Sequence, residues 1–353
     1  MCGVVGYIGK KKSKQLILNA LAKLQYRGCD SAGFACINKE NKLACVKSPG
    51  EIEQLQKIAN QVEHDGTIGI GHTRWAADSE LPFSNAHPHA SCSEDIAIVH
   101  NGFIDNHQEL KVGLIKQKHR FIADVDTEVI PHILEHYINR KMSLEAALQK
   151  MANQLSGSFA LVGLLEKHPD TLFSVRKTAP LALLVHDDGI RIASDYRAIG
   201  KKGNLGFFQP DNSFAIITDN DIALYSFEGK RLPVHLDQIL VKKPVLERNM
   251  LNRAYNDFER ALRSFFEYIL PDSELSYDYV ELLNLAHSIL ERSILTLNQE
   301  HYLRKIVGAI DALEDGTYGL CIGCGQPIGS HALAKHHTLS LCQNCDAKHA
   351  ACA

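Results

Sequence analysis

The hydrophobic period changes once along this 353-residue chain, near Val241–Pro244, and the change limits what each side can fold into. Before it, short apolar or β-branched runs bounded by Gly and polar residues read as strands. They lie at Val4–Ile8, Gly33–Ile37, Ile68–Gly71, Ile96–Val99 and Phe159–Leu164. Helical spacing falls among them at Leu16–Leu24, Ile52–Val62, Glu128–Ile138 and Leu144–Leu155. From Phe173 to Phe227 the pattern is strand and turn again, punctuated by HDDG, QPDN and TDND. Strands and helices come partly in blocks, which favours stacked antiparallel sheets with helices over a doubly wound parallel sheet.

Beyond the change, Met250, Leu251, Ala254, Tyr255, Phe258, Ala261, Leu262, Phe265, Phe266 and Ile269 follow a 3–4 spacing along one amphipathic helix. Pro271 breaks it, and a second long pattern runs from about Asp278 to Leu313. Two such helices joined by a short polar tip predict an antiparallel helical hairpin. A small cysteine-bearing module closes the chain. The expected organisation is therefore residues 1–240, a hairpin at 241–315, and a module at 316–353.

Charge and composition exclude several classes. Lys and Arg number 38 against 41 Asp and Glu, for a net charge of −3, with 22% charged and 45% hydrophobic residues. That is a globular composition, and a charge so near zero gives no footing for non-specific attraction to nucleic acid or an anionic membrane. No apolar run approaches the ~20 residues needed to cross a bilayer. The opening MCGVVGYIGKKK puts its basic residues after a short apolar stretch, the reverse of a signal peptide. A cytoplasmic location is expected, so the ten cysteines read as thiols or metal ligands before disulfides.

Four of those cysteines are paired in sequence. Cys321 and Cys324 form one C-x2-C, Cys342 and Cys345 another, with 17 residues between the pairs. Each pair can turn two thiolates toward one ion, and four sulfurs saturate it, so one structural zinc is expected. With YGLCIGCGQPIG (318–329), LCQNC (341–345) and the helices ahead of them, the C-terminal third resembles the DksA/TraR family of zinc-finger transcription regulators. The resemblance implies a hairpin that enters the secondary channel of bacterial RNA polymerase behind an acidic tip. Asp278 and Glu281 fall at that tip motif, while Leu283 replaces its small residue. These acids equally suit a helix N-cap and its first turn.

Cys2 follows Met1 directly, so removal of Met1 makes it the mature N-terminus. Such a residue joins a thiol nucleophile to an α-amine with a reference pKa of roughly 7.7–8.0, which can act as its base near neutral pH. Five further motifs follow in order: YRGCDSAG (26–33), GHTRWA (71–76), NAHPH (85–89), VHNGFIDNH (99–107) and DVDTEV (124–129). With MCGVVGYIG they make residues 1–240 resemble class II glutamine amidotransferases, most closely the glutaminase half of glucosamine-6-phosphate synthase. The implied fold is α+β, the N-terminal-nucleophile α/β/β/α sandwich of antiparallel sheets.

The resemblance also implies roles. Cys2 would attack the side-chain amide of L-glutamine, and Asn101 and Gly102 would form the oxyanion hole. Arg27 would order the nucleophile. Arg74 would bind the substrate carboxylate, Asp126 with the Gly102 carbonyl would hold the ammonium, and Trp75 would sit on a closing loop. Asp126 also suits a helix N-cap. His72, His87, His89, His100 and His107 become hydrogen-bonding residues rather than a second metal site.

Two departures stand out: Ala77-Asp78-Ser79 replaces Thr-His-Gly after HTRWA, and Cys29 replaces an aromatic. Asp78 brings a carboxylate toward the place where another must bind. Sugar-isomerase domains are not expected, so ammonia would pass to an acceptor enzyme in trans. The alternative is a glutamine-responsive transcription regulator that binds RNA polymerase without sequence-specific contact to nucleic acid.

Overall fold

A computed structural model describes residues 2–25, 30–61, 65–74, 83–200, 205–238, 248–269, 279–291, 295–314, 318–322, 326–336, 338–343 and 345. Arg27, Cys29, Trp75, Ala77, Asp78, Ser79, Asp278 and Cys324 lie outside the described residues. The chain divides into two compact units, the second built on Leu240–Asp346.

Among the described residues the first unit holds two antiparallel sheets. One runs, in spatial order, through β15 (Asp237–Gln238), β11 (Leu205–Phe208), β9 (Ala182–His186), β10 (Gly189–Ala193), β1 (Gly3–Gly9), β4 (Ile68–Arg74), β2 (Ser31–Ile37) and β3 (Leu43–Pro49). The other runs through β14 (Arg231–Leu232), β13 (Ile222–Ser226), β12 (Ser213–Ile217), β8 (Leu172–Lys177), β7 (Gly157–Leu165), β6 (Ile96–Ile104) and β5 (His89–Ala90).

Period-2 alternation explains how the sheets stack. On β6, Ala97 and Val99 join Val4, Ile70, Val162 and Ile192 in a core between the sheets. Their neighbours Ile96 and Ile98 face the other way, with Phe159 and Leu161 of β7, onto α4 (Val129–Asn139) and α5 (Leu144–Gln154). Helices α1 (Ser13–Leu24) and α2 (Ile52–Gln61) cover the outer face of the first sheet. Strands buried on both faces carry few polar residues, which is why β7 reads GSFALVGLL without a break. The layers are helix, sheet, sheet, helix. Sequence pattern alone passed over α3 (His107–Lys116), where only Leu114 is fully buried and Val112 and Ile115 are exposed.

The second unit differs from the expected hairpin. Helix α6 (Arg248–Ile269) forms as predicted, burying Ala254, Phe258, Leu262, Phe265 and Phe266. The second arm is two helices, α7 (Tyr279–Glu291) and α8 (Leu297–Glu314), and α6, α7 and α8 pack against one another. Half of a capping box starts α8: the Thr296 backbone N–H and hydroxyl both donate to Gln299 Oε1, at 2.9 and 2.7 Å. The cysteine module shares this core through Tyr318, Ile322, Ile328, Leu333 and Leu341, with α9 (Ser330–Lys335) packed beside it.

Loss of the cap is the direct test of that break. Thr296→Ala removes the hydroxyl bond to Gln299 and should destabilise the second unit by about 0.5–1.5 kcal/mol, whereas Thr296→Ser should retain most of the stability. Thermal and denaturant melts followed by circular dichroism check this, and an unchanged midpoint for Thr296→Ala counts against the cap.

Candidate active site

β1 lies between β4 and β10, so the chain's N-terminus emerges from the middle of a sheet. Gly3 pairs with Thr73 in the β1–β4 register, and one step beyond that pair stand Cys2 and Arg74. Both are half-buried. Ser31 of β2 pairs with Arg74 from the other side, and Asp30 N donates to the Arg74 carbonyl at 2.8 Å, which fixes the backbone at the strand end.

β6 of the other sheet brings Asn101 to this point. Asn101 Nδ2 donates to the Cys2 carbonyl at 3.0 Å. Its Oδ1 lies 3.2 Å from His72 Nε2, which is also 2.9 Å from the His100 carbonyl. Both partners accept, so the His72 proton resides on Nε2. The Asn101 amide is thus oriented from both ends, and one Nδ2 hydrogen remains for a ligand. Gly102 follows with φ +110, and a Cβ there would drive into the Ser158 carbonyl. Only glycine fits a backbone that is both left-handed and closely approached.

Asp126 opens a 3-10 turn, Asp126–Glu128, ahead of α4. Its Oδ2 accepts from Ile104 N at 2.7 Å, so the carboxylate ties down the end of β6 rather than capping α4. The turn therefore belongs to the site. Thr127, which the sequence reading passed over, is its buried hub: Thr127 Oγ1 lies 3.1 Å from His87 Nε2 and 2.9 Å from His100 Nδ1. With both rings donating, the hydroxyl proton is left for Asp126 Oδ1 at 3.4 Å. The signal was present in DVDTEV, where a Thr between two acids resembled an ordinary helix start.

Beneath these groups His72, His87, His89 and His100 are buried, with the His72 and His87 rings stacked at 4.0 Å. Burial lowers all four imidazoles, His72 to about 3, so they are neutral hydrogen-bonding groups. His107 Nδ1 bonds the Ile104 carbonyl at 2.8 Å. None of these five belongs to a metal-competent cluster among the described residues. The structure thus gathers Cys2, Arg74, Asn101, Gly102 and Asp126 at one end of the two sheets, partly open to solvent.

The cysteine module sits in the second unit. The Sγ atoms of Cys321, Cys342 and Cys345 lie within 4.8 Å of one another, Cys321 buried and the other two half-buried. Tetrahedral zinc thiolates stand about 3.8 Å apart, given Zn–S bonds of about 2.3 Å. The three described sulfurs lie close enough together to reach one such ion. Glu281 lies exposed in the first turn of α7. No described helix is long and apolar enough to cross a membrane.

The fold of the first unit agrees with comparison to known proteins. Residues 72–201 match the family described as glutamine amidotransferase domain. The chain is 33% identical over 313 residues to a glutamine–fructose-6-phosphate aminotransferase of Caldanaerobacter subterraneus, covering 87% of this chain and 51% of that protein. The corresponding protein of Thermococcus kodakarensis is 40% identical over 247 residues, covering 70% and 40%. Among solved structures, glutamine phosphoribosylpyrophosphate amidotransferase from B. subtilis shares the fold. Its TM-score is 0.56 at 22% identity, covering 74% of this chain and 58% of that one. Residues 72–201 carry a glutamine amidotransferase domain. The chain is similar to glutamine–fructose-6-phosphate aminotransferases and spans about half the length of the curated relatives it matches, or less.

The neutral imidazoles set a pH dependence. In the unfolded chain each titrates near 6.5, so below that pH the unfolded state binds protons that the folded state refuses. Stability contributed by the neutral cluster is complete above about pH 6.5 and is lost as pH falls toward the depressed folded values. Melting temperature should drop between pH 7 and pH 5, and the drop should be shallower in His87→Gln. Melts at stepped pH check this, and an equal slope in the variant would count against it.

Proposed function

We propose that the first unit hydrolyses the side-chain amide of L-glutamine with Cys2 as nucleophile, releasing ammonia to an acceptor enzyme in trans. The Asn101 amide carries this reading, because it is pinned by His72 on one side and bonded to the Cys2 carbonyl on the other. In the proposed step Cys2 Sγ forms a bond to the amide carbon while its proton passes through the α-amine to the departing nitrogen. Charge building on the carbonyl oxygen is met by the Asn101 side-chain N–H and the Gly102 backbone N–H, donors held before the reaction begins. Ammonia leaves a glutamyl thioester, and water attacks that carbonyl to free glutamate and return the thiol.

Substrate grip follows from charge. Arg74 offers two parallel donors to the α-carboxylate. Asp126, its Oδ2 already taking the Ile104 N–H, presents negative charge to the ammonium. Arg27 is assigned to ordering Cys2, and Trp75 to closing over the substrate. In the second unit Cys321, Cys342 and Cys345, with Cys324 as fourth ligand by spacing, are assigned to one structural zinc. Four thiolates leave no open position, so this ion would hold the fold rather than react.

Glutamate release from L-glutamine by protein of verified intact mass is the test. Cys2→Ala should abolish turnover, and Asn101→Ala should lower kcat by roughly 10²–10³ with a smaller change in KM. Turnover that survives Cys2→Ala, or an Asn101→Ala loss confined to KM, would overturn the assignment.

A further inference from the structure

A second cluster lies away from the active site and from the paired cysteines. After β5 the chain turns through Cys92 and Ser93; α3 ends at Lys116 and leads to His119; α4 carries His132 and Glu135, three residues apart and so on one face. Four ligand atoms from these segments converge: Cys92 Sγ, one ring nitrogen each from His119 and His132, and a Glu135 oxygen, all within 4.8 Å of one another. Cys92 Sγ is 3.7 Å from His119 Nδ1 and 3.5 Å from His132 Nδ1. Glu135 Oε2 is 3.0 Å from His119 Nδ1 and 3.8 Å from His132 Nδ1. A tetrahedral ion with bonds of about 2.0–2.3 Å sets its ligands roughly 3.3–3.8 Å apart. Three of the four separations fall in that range, and the His119–Glu135 separation of 3.0 Å lies just below it.

We propose that Cys92, His119, His132 and Glu135 bind a zinc ion that staples the β5–β6 turn to α4. The donor set suits zinc: one thiolate, two imidazoles and a carboxylate, with the two anionic ligands neutralising a divalent ion. Outer contacts are in place. Glu135 Oε1 accepts from Ser93 N and Ser93 Oγ at 2.8 and 2.6 Å, orienting the carboxylate. Arg120 N donates to Cys92 Sγ at 3.2 Å, which fixes the sulfur's position. Buried His132 Nε2 has no hydrogen-bond partner and faces Glu128 Oε1 at 3.8 Å, the carboxylate behind an imidazole that often accompanies zinc.

The cluster also has an entry path. Cys92 is exposed, and a surface cleft of about 500 Å³ is lined by Cys92, His119 and Glu135. With four protein ligands the ion would be structural. It would brace the two segments that continue into Asn101 through β6 and back to Asp126 through the 3-10 turn.

The full-length protein, equilibrated with excess Zn²⁺ and desalted, is assayed for bound zinc by mass spectrometry. Cys92→Ser and His119→Gln should each lose one equivalent per chain relative to wild type, while Cys342→Ser should leave this site filled. In wild-type protein, zinc should also slow alkylation of Cys92, read by peptide mapping against an EDTA-treated sample. The mapping stands even if a variant fails to fold. Equal zinc content in wild type and the folded variants, or Cys92 alkylation unaffected by zinc, would overturn the proposal.

Discussion

The Asn101 side chain joins the two sheets at the point where chemistry is proposed. It donates to the carbonyl of Cys2 at the mouth of one sheet and belongs itself to β6 of the other. His72, from the first sheet, holds its oxygen and so decides which way the amide points. Without that arrangement the proposed nucleophile would sit on one layer and the proposed oxyanion donors on another, with only apolar packing to align them. The sandwich therefore supplies more than burial: its register sets Cys2 beside Arg74, and its inter-layer polar contacts set Asn101 beside Cys2.

Polar groups buried under the site are kept neutral. His72, His87, His89 and His100 are desolvated, so their protonated forms are disfavoured and they serve as oriented dipoles. Thr127 links two of them to Asp126, which in turn holds the end of β6. In the proposed reading, the charges offered to a zwitterionic substrate come from Arg74 and Asp126, both half-buried. This division, neutral groups below and charged groups at the rim, limits the desolvation cost of building the site.

Much of the candidate site was legible because its residues cluster in short motifs. GHTRWA marked the end of β4, VHNG the middle of β6, and DVDTEV the approach to α4. What escaped depends on contacts between distant segments. The break before α8 was masked because apolar residues keep helical spacing across it; only Thr296 and Gln299, a capping pair, announced it. Asp126 reads like a cap in sequence, yet its partner is Ile104, which only the β6 register reveals. The cluster of Cys92, His119, His132 and Glu135 is drawn from three segments, and of its members only His132 and Glu135 share a readable spacing.

The central claim is that a particular sulfur reacts because of where the fold sets it. A glutamine analogue carrying an electrophilic carbon in place of the side-chain amide tests this directly, with the adduct located by peptide mass mapping. Cys2 of the Met1-processed chain should be the labelled residue, other cysteines should stay unmodified, and L-glutamine should protect it. Labelling spread over several cysteines without protection, or an unmodified Cys2, would contradict it.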